Sequence, residues 1–217
     1  MEEQELIQTY KHRIRIFLIL YIFSEEYSDN TKPNYKKLFQ GETKIQKIDF
    51  WLRNPDYLSY ELLQVAKEDH TKKHEIKHIV KKIFQDNEPI LRRAEMKKFF
   101  YGAYEDLDDV ISFLISVDLV QFSSKRAKDA TIRNKKYYIT DLAIEKVEKN
   151  ISKLSFLKWY FDRCGLIKHF FGNKSGSELK DAQYEIEEYS NASYGNPIEG
   201  ISPLVKNEFY NLYNETL

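Results

Sequence analysis

The sequence predicts a mainly α protein with a helical N-terminal part over residues 1–87 and a helical C-terminal extension over residues 151–217. Between them, residues 88–150 read as a central winged helix-turn-helix with a small β-hairpin, and all three parts fit one compact unit. Three observations carry this. The 217 residues hold only 7 Gly and 5 Pro, so long segments lack helix breakers and are rich in Lys, Glu, Leu and Ile, which favour helices. Apolar residues recur at intervals of three and four along most of the chain. From Glu88 to Asn150 the pattern switches from helix to turn, second helix, two strands and closing helix, the order of a winged helix.

The first helix covers residues 3–27, with Leu6, Tyr10, Ile14, Phe17 and Tyr21 as its stripe and Leu18 and Ile22 widening it. Ser28 to Asn34 is a turn-forming run. Thr43 can cap a helix through Leu52 with Ile45, Ile48, Phe50 and Trp51 apolar. Asn54-Pro55 breaks the chain, because Pro disfavours a helical residue before it. The next helix, Asp56 to Glu68, is followed by a charged amphipathic helix within 67–85 whose narrow stripe is Ile76, Ile79, Val80, Ile83 and Phe84. In the central segment, Pro89 to Tyr101 suits a helix with Ile90, Leu91, Met96, Phe99 and Phe100 inward, closed by Gly102; Phe99, Phe100 and Trp159 suit a core or an interface, and the core is preferred. Glu105 to Val117 forms the second helix, residues 117–122 and 137–140 pair as strands around a polar loop, and Thr140 caps a helix over 141–149. An aromatic helix over 151–171, a linker-like run over 172–177, an acidic helix over 178–189 and a short helix over 203–214 complete the chain.

Composition limits function. The 34 basic residues balance 34 acidic ones, whereas a protein held on nucleic acid by phosphate contacts tends to carry a local or global basic excess. Aromatics reach 15% with 16 Tyr, a content that suits interfaces as well as cores, and a neutral surface protects poorly against association. A single Cys excludes a disulfide framework and a Cys-based zinc cage, and Cys164 in its apolar run reads as a packed thiol. The acidic start, Met-Glu-Glu-Gln-Glu, lacks the basic region of a signal peptide. The apolar run Ile14 to Phe23 is too short to span a bilayer, so a cytoplasmic location without membrane attachment is expected.

Two constellations could carry chemistry. His74-Glu-Ile-Lys-His78 matches the H-E-x-x-H zincin pattern, in which two His on one helix face hold zinc and Glu acts as base. Lys72, Lys73, Lys77, Lys81 and Lys82 surround it, and their charge opposes a cation. A solvated helix face is the reading preferred over a zinc hydrolase, and no metal or other cofactor is expected. The second is the loop between the paired strands, where Lys125, Arg126, Lys128, Arg133, Lys135 and Lys136 face a single Asp129. Such a loop can follow phosphates, and is equally compatible with simple solvation. The helix that would enter a major groove opens Tyr104-Glu-Asp-Leu-Asp-Asp109, and its four carboxylates oppose a polyanion. They also suit a helix N-terminus. Neither a phosphate-binding Gly loop nor a G-x-S-x-G elbow occurs.

The string Lys44-Ile-Gln-Lys-Ile-Asp-Phe-Trp-Leu-Arg-Asn-Pro-Asp-Tyr-Leu-Ser-Tyr-Glu-Leu-Leu63, above all Asp49, Phe50, Leu52, Arg53, Pro55 and Leu58, resembles a small bacterial family. These are the middle components of ABC-three-component conflict systems, including the small third subunit of Lamassu-type antiphage defence. Arg92-Arg93, Tyr104 and Tyr137-Tyr-Ile-Thr-Asp-Leu-Ala143 extend the resemblance, which covers roughly residues 40–150; Ala143 stands where winged helices often have Gly. The resemblance implies a non-catalytic adaptor seated near the head domains of an ATPase of the structural-maintenance-of-chromosomes (SMC) or double-strand-break-repair type. The effector, a nuclease in many such systems, is a separate chain. The charge of the basic wing, apart from the resemblance, leaves contact with double-stranded DNA open. The partner-interface candidates are then Asp49, Trp51, Arg53, Asp56 and Tyr57, with Glu105, Asp106 and Asp109. The competing reading is a winged-helix transcription regulator.

Overall fold

The computed structural model describes residues 3–100, 102–126 and 132–217, the side chains of 126, 132 and 133 excepted. In chain order its elements begin with α1 (Glu3–Phe23), β1 (Glu25–Glu26), β2 (Tyr35–Gln40), α2 (Glu42–Arg53), α3 (Pro55–Glu68) and α4 (Lys73–Gln85). They continue with α5 (Glu88–Leu91), β3 (Lys97–Phe99), β4 (Gly102–Tyr104), α6 (Asp108–Ser116), β5 (Val120–Arg126) and β6 (Ile132–Thr140). The remainder is α7 (Asp141–Lys149), α8 (Lys158–Phe171), α9 (Gly176–Tyr184), α10 (Glu187–Asn191) and α11 (Ser202–Tyr213). The fold is mainly helical, with one small antiparallel sheet and a separate β-hairpin. No helix among the described residues is long and apolar enough to cross a membrane.

Packing divides the chain into two units. Unit one is Met1–Asp49 with Asp106–Gly176, and unit two is Phe50–Glu105 with Ser177–Leu217. The boundaries expected at residues 88 and 151 do not coincide with this division. The chain changes unit inside α2, again at 105/106, and finally in the run over 172–177 that reads as a linker.

Unit one contains the four-stranded sheet, in the order β1-β2-β6-β5. Strand β6 is central, pairing Tyr137 with Phe39 on one side and with Phe122 on the other. Ile139 lies opposite Val120, and both are fully buried. The period-two rule therefore puts Val120, Ile139 and Tyr137 on the core face, and Gln121, Tyr138, Lys136 and Leu38 on the other. Helix α1 is buried along Ile16–Leu20, but its first turns are not covered: Leu6, Ile7 and Tyr10 are exposed, contrary to the expected stripe. It stops at Phe23, where the Ser24 backbone N–H and hydroxyl both donate to the Leu20 carbonyl. Strand β1 falls inside the helix expected over residues 3–27, and β2 in residues read as loop. Helix α6 starts later than expected, because the Asp106 carboxylate accepts the Asp108 N–H at 2.9 Å and forms a turn first. The Thr140 hydroxyl accepts the Ala143 N–H at 3.1 Å, the cap expected for α7. Residues 151–157 form two 3₁₀ turns rather than the start of one long aromatic helix.

Unit two is built on α3, α4 and α11 with the hairpin of β3 and β4. Pro55 occupies the first position of α3, where its missing N–H costs nothing. Ile76, Val80 and Ile83 form the buried stripe of α4. The helix expected over Pro89 to Tyr101 is absent: α5 is one turn long, and the chain then becomes β3 and β4. Distant backbone overrides local propensity here. Lys98 donates to the Asn196 carbonyl at 3.0 Å and its own carbonyl accepts from Gly195 at 2.8 Å, while Ile198 donates to Met96 at 3.1 Å. The alternation follows: Lys98 is buried, whereas Lys97 and Phe99 are exposed. Ile90, Leu91, Phe99 and Phe100 thus point outward instead of into a core, and only Met96 of that set is buried. Phe50, Tyr57, Tyr184 and Tyr189 form an edge-to-face aromatic cluster, and the Tyr189 hydroxyl accepts the Ala103 N–H at 2.6 Å.

Candidate interaction surfaces

The basic hairpin lies in unit one. Lys125 is exposed near the end of β5, opposite Arg133 in register, and Lys136 sits half-buried on the outer sheet face. Neither makes an ion pair among the described residues. Lys135 differs, because its ammonium pairs with Glu42, which also accepts from the Tyr137 hydroxyl at 3.3 Å. Lys128 lies outside the described residues, as do the side chains of Arg126 and Arg133, whose backbones belong to β5 and β6. Beside Lys136 the outer face is aromatic: Tyr138 stacks on Tyr35 with centroids 4.9 Å apart and meets Tyr27 edge-on at 5.1 Å. Lys32 stands 5.2 Å from the Tyr35 ring. Tyr138 is itself buried in this stack, so what the face offers a ligand is chiefly the charge of Lys32 and Lys136, which suits a polyanion.

Helix α6 presents the opposite charge. Asp106, Asp108 and Asp109 are exposed at its start, and its outward positions continue with Ser112 and Ser116. Phe113 is half-buried under the Arg13 guanidinium, which lies 3.9 Å above its ring. The described outward face of α6 therefore carries carboxylates and hydroxyls and no cation. The acids complement the positive end of the helix dipole, and the same charge repels phosphate.

The residues carrying the resemblance turn out to be internal. Asp49 is buried in unit one and accepts a two-point bond from the Arg15 guanidinium, with Nη2 at 3.3 Å from Oδ2. Trp51, Asp56 and Tyr57 are buried in unit two. Arg53 donates Nε to the Ala94 carbonyl at 3.1 Å and pairs through its remaining nitrogens with the Glu95 carbonyl and the Glu105 carboxylate. Asp56 accepts the Ile201 N–H at 2.6 Å and the Tyr57 N–H at 3.0 Å. Tyr57 donates its hydroxyl to the Glu199 carbonyl at 2.8 Å, and Arg93 donates to Ile198 at 2.9 Å. These three side chains clamp residues 198–201. Burial raises the Asp56 pKa, with the two backbone donors and Arg93 pulling the other way. Asp49, Trp51, Asp56 and Tyr57 accordingly present no surface to a partner; Asp49, Asp56 and Tyr57 bond distant parts of their own unit. Of the interface candidates, Asp106 and Asp109 are exposed and Glu105 is partly exposed.

Sequence reasoning placed the most exposed apolar side chains inward, with an interface only the second choice for Phe99 and Phe100. Phe100 is 78% exposed, Ile90 73% and Leu91 71%, all in unit two, and Tyr194 is tilted against Phe100 with centroids 5.1 Å apart. The signal that could have found them is local: Lys97-Lys98-Phe99-Phe100 alternates poorly as a helix and carries two β-favouring rings before Gly102.

His74 and His78 are exposed on α4 with their Nε2 atoms 3.2 Å apart. Among the described residues no third His, Cys, Asp or Glu ligand atom joins this pair within 4.8 Å. Cys164 is fully buried, and burial pushes its thiol pKa up, so it is no reactive nucleophile. In comparisons with known proteins, no family model, no curated protein and no solved structure matches this chain.

Proposed function

We propose that this chain is a non-catalytic assembly subunit of a bacterial antiphage defence complex, docking on an SMC-like ATPase that works with a separate effector nuclease. Unit one is then a winged helix: the order α1, β2, α2, α6, β5, β6 and the sheet order β2-β6-β5 support that reading, with unit two inserted between the second and third helices. The observation that carries the adaptor role is the outward set Ile90, Leu91 and Phe100. Apolar side chains at more than two-thirds exposure, here the adjacent pair Ile90 and Leu91 and, on the β3–β4 hairpin, Phe100 with Tyr194 against it, are of the kind that protein-binding surfaces use. The acidic start of α6 supports the same reading, because it opposes insertion into a DNA groove. Contact with the DNA backbone falls to Lys125 and Lys136 of the wing.

The test is co-expression with a long coiled-coil ATPase encoded beside the gene. The complex should copurify, and Leu91→Asp with Phe100→Asp should release this chain while leaving its own fold intact. A transcription regulator is the second reading, favoured by the basic strands of the hairpin. It requires the isolated chain to bind one duplex sequence far more tightly than others, with a steep loss of affinity as salt rises.

A further inference from the structure

We infer that His74 and His78 form a two-histidine chelate site on α4 for a late first-row divalent cation, with zinc the best match. This is independent of the adaptor role and is not a hydrolase centre, since two protein ligands fill only half of a tetrahedral sphere, one fewer than catalytic zinc sites use.

The geometry comes first. On a helix, residues four apart stack over one another, and here the two imidazoles converge until their Nε2 atoms are 3.2 Å apart. Zinc binds imidazole nitrogen at about 2.0–2.1 Å with near-tetrahedral angles, which places two ligand nitrogens about 3.3 Å apart. The rings stand at 68° to each other with centroids 4.5 Å apart, so the Nε2 atoms approach without the planes stacking face to face. In the absence of metal the two nitrogens share one hydrogen bond, one donating and one accepting; to bind a cation the donating ring moves its proton to Nδ1, so that both Nε2 lone pairs face the ion and both imidazoles stay neutral.

Electrostatics come second. In sequence, the lysines around the pair oppose a cation. In the structure several are drawn elsewhere. Lys77 and Lys81 both bond the Glu215 carboxylate at 2.5 Å, Lys72 reaches Asp69 at 3.6 Å, and Lys73 lies 5.6 Å from the Tyr213 ring. Pulling Glu215 between two ammoniums lowers its pKa to about 2, so it stays ionised and offsets them. Lys82 remains as an exposed cation of the same helix, and Glu75 adds a carboxylate one residue from His74. Irving–Williams preference and nitrogen ligation favour zinc, nickel and copper over magnesium or calcium.

The experiment is calorimetric titration of the chelator-treated, tag-free chain with zinc chloride, beside His74→Gln, His78→Gln, the double variant and His70→Gln. One ion per chain is expected. Each single substitution should weaken binding by about tenfold or more, because the second imidazole acts at high effective concentration. The double variant should fall below either single, each of which keeps one monodentate imidazole, and His70→Gln should match wild type. Zinc should also raise the Tm of wild type but not of the double variant, as linkage to the folded state requires. Absence of saturable binding at millimolar zinc, or a double variant that binds as tightly as wild type, would overturn the assignment. Single substitutions that each lose only half the affinity would do so too, since they describe two independent imidazoles.

Discussion

Asp56 gives the sharpest test of how unit two is held together. Its carboxylate is buried and accepts the Ile201 and Tyr57 amides, with Arg93 and Tyr57 gripping the same segment through Ile198 and Glu199. Asp56→Ala strands two buried amide donors, each worth about 1–3 kcal/mol when left unpaired. The carboxylate's own desolvation offsets part of that loss, so the expected cost is about 3 kcal/mol. Asp56→Asn keeps an acceptor in the same place and should cost no more than about 1 kcal/mol. Urea unfolding followed by Trp51 fluorescence in a Trp159→Phe background reads unit two alone, because the chain has 2 Trp and only Trp51 belongs to that unit. The pH dependence supplies a sign. The folded pKa lies above the ordinary 3.8, so the contribution of Asp56 is full below that value and is lost as pH rises through the folded pKa. Stability of Asp56→Asn relative to wild type should therefore improve from acid toward neutral pH. An alanine variant losing under about 1 kcal/mol, or an asparagine variant whose relative stability declines over that range, would refute the clamp.

Other outcomes follow from the same geometry. A Cβ on Gly200 would lie 1.9 Å from Arg93 Nη1 and 3.0 Å from Asp56 Oδ2, so Gly200→Ala should cost about 1–3 kcal/mol and combine non-additively with Asp56→Ala in a double-mutant cycle. Leu91→Asp and Phe100→Asp should change stability by less than about 0.5 kcal/mol in equilibrium unfolding while abolishing ATPase capture. In duplex titrations, Lys125→Gln should lower the salt slope by about 0.9 if its ammonium meets a phosphate; Lys135→Gln should instead lower Tm, because that ammonium serves Glu42. Glu215 has a depressed pKa of about 2 against an ordinary 4.5, so its stabilising contribution is present above pH 4.5 and lost as pH falls through 2. The difference in Tm between wild type and Glu215→Gln should vanish across that window.

Periodicity made the helices legible wherever burial was local. The stripes of α3 and α4, the Thr140 cap and the pairing of β5 with β6 all follow from spacing and side-chain chemistry within a few residues. What escaped was decided at long range. Residues 96–99 adopt a strand because residues 195–198 offer them carbonyls and amides, a partner almost a hundred residues away. Strand β2 was hidden because Tyr35-Lys-Lys-Leu-Phe-Gln alternates weakly and finds its register only beside β6. Four of the interface candidates, Asp49, Trp51, Asp56 and Tyr57, are internal for a related reason. Asp56 and Tyr57 are polar residues of the kind a surface uses, and nothing near them in sequence reveals that Glu199 and Ile201 are their partners. The basic hairpin, by contrast, could be read as a charge run, although the capture of Lys135 by Glu42 could not.

The division of the chain between units sets an order on synthesis. The last residue of unit one is Gly176, whereas unit two cannot be completed until the segment after Ser177 has left the ribosome. Residues 50–105 must therefore wait, with Asp56 and Tyr57 exposed and the 195–198 partner of β3 missing, while more than seventy further residues are added. During that interval the nascent chain carries an apolar, half-assembled insert of the kind that chaperones hold. A message truncated shortly after Gly176 would release a product with every segment of unit one present and unit two left as an unfinished loop.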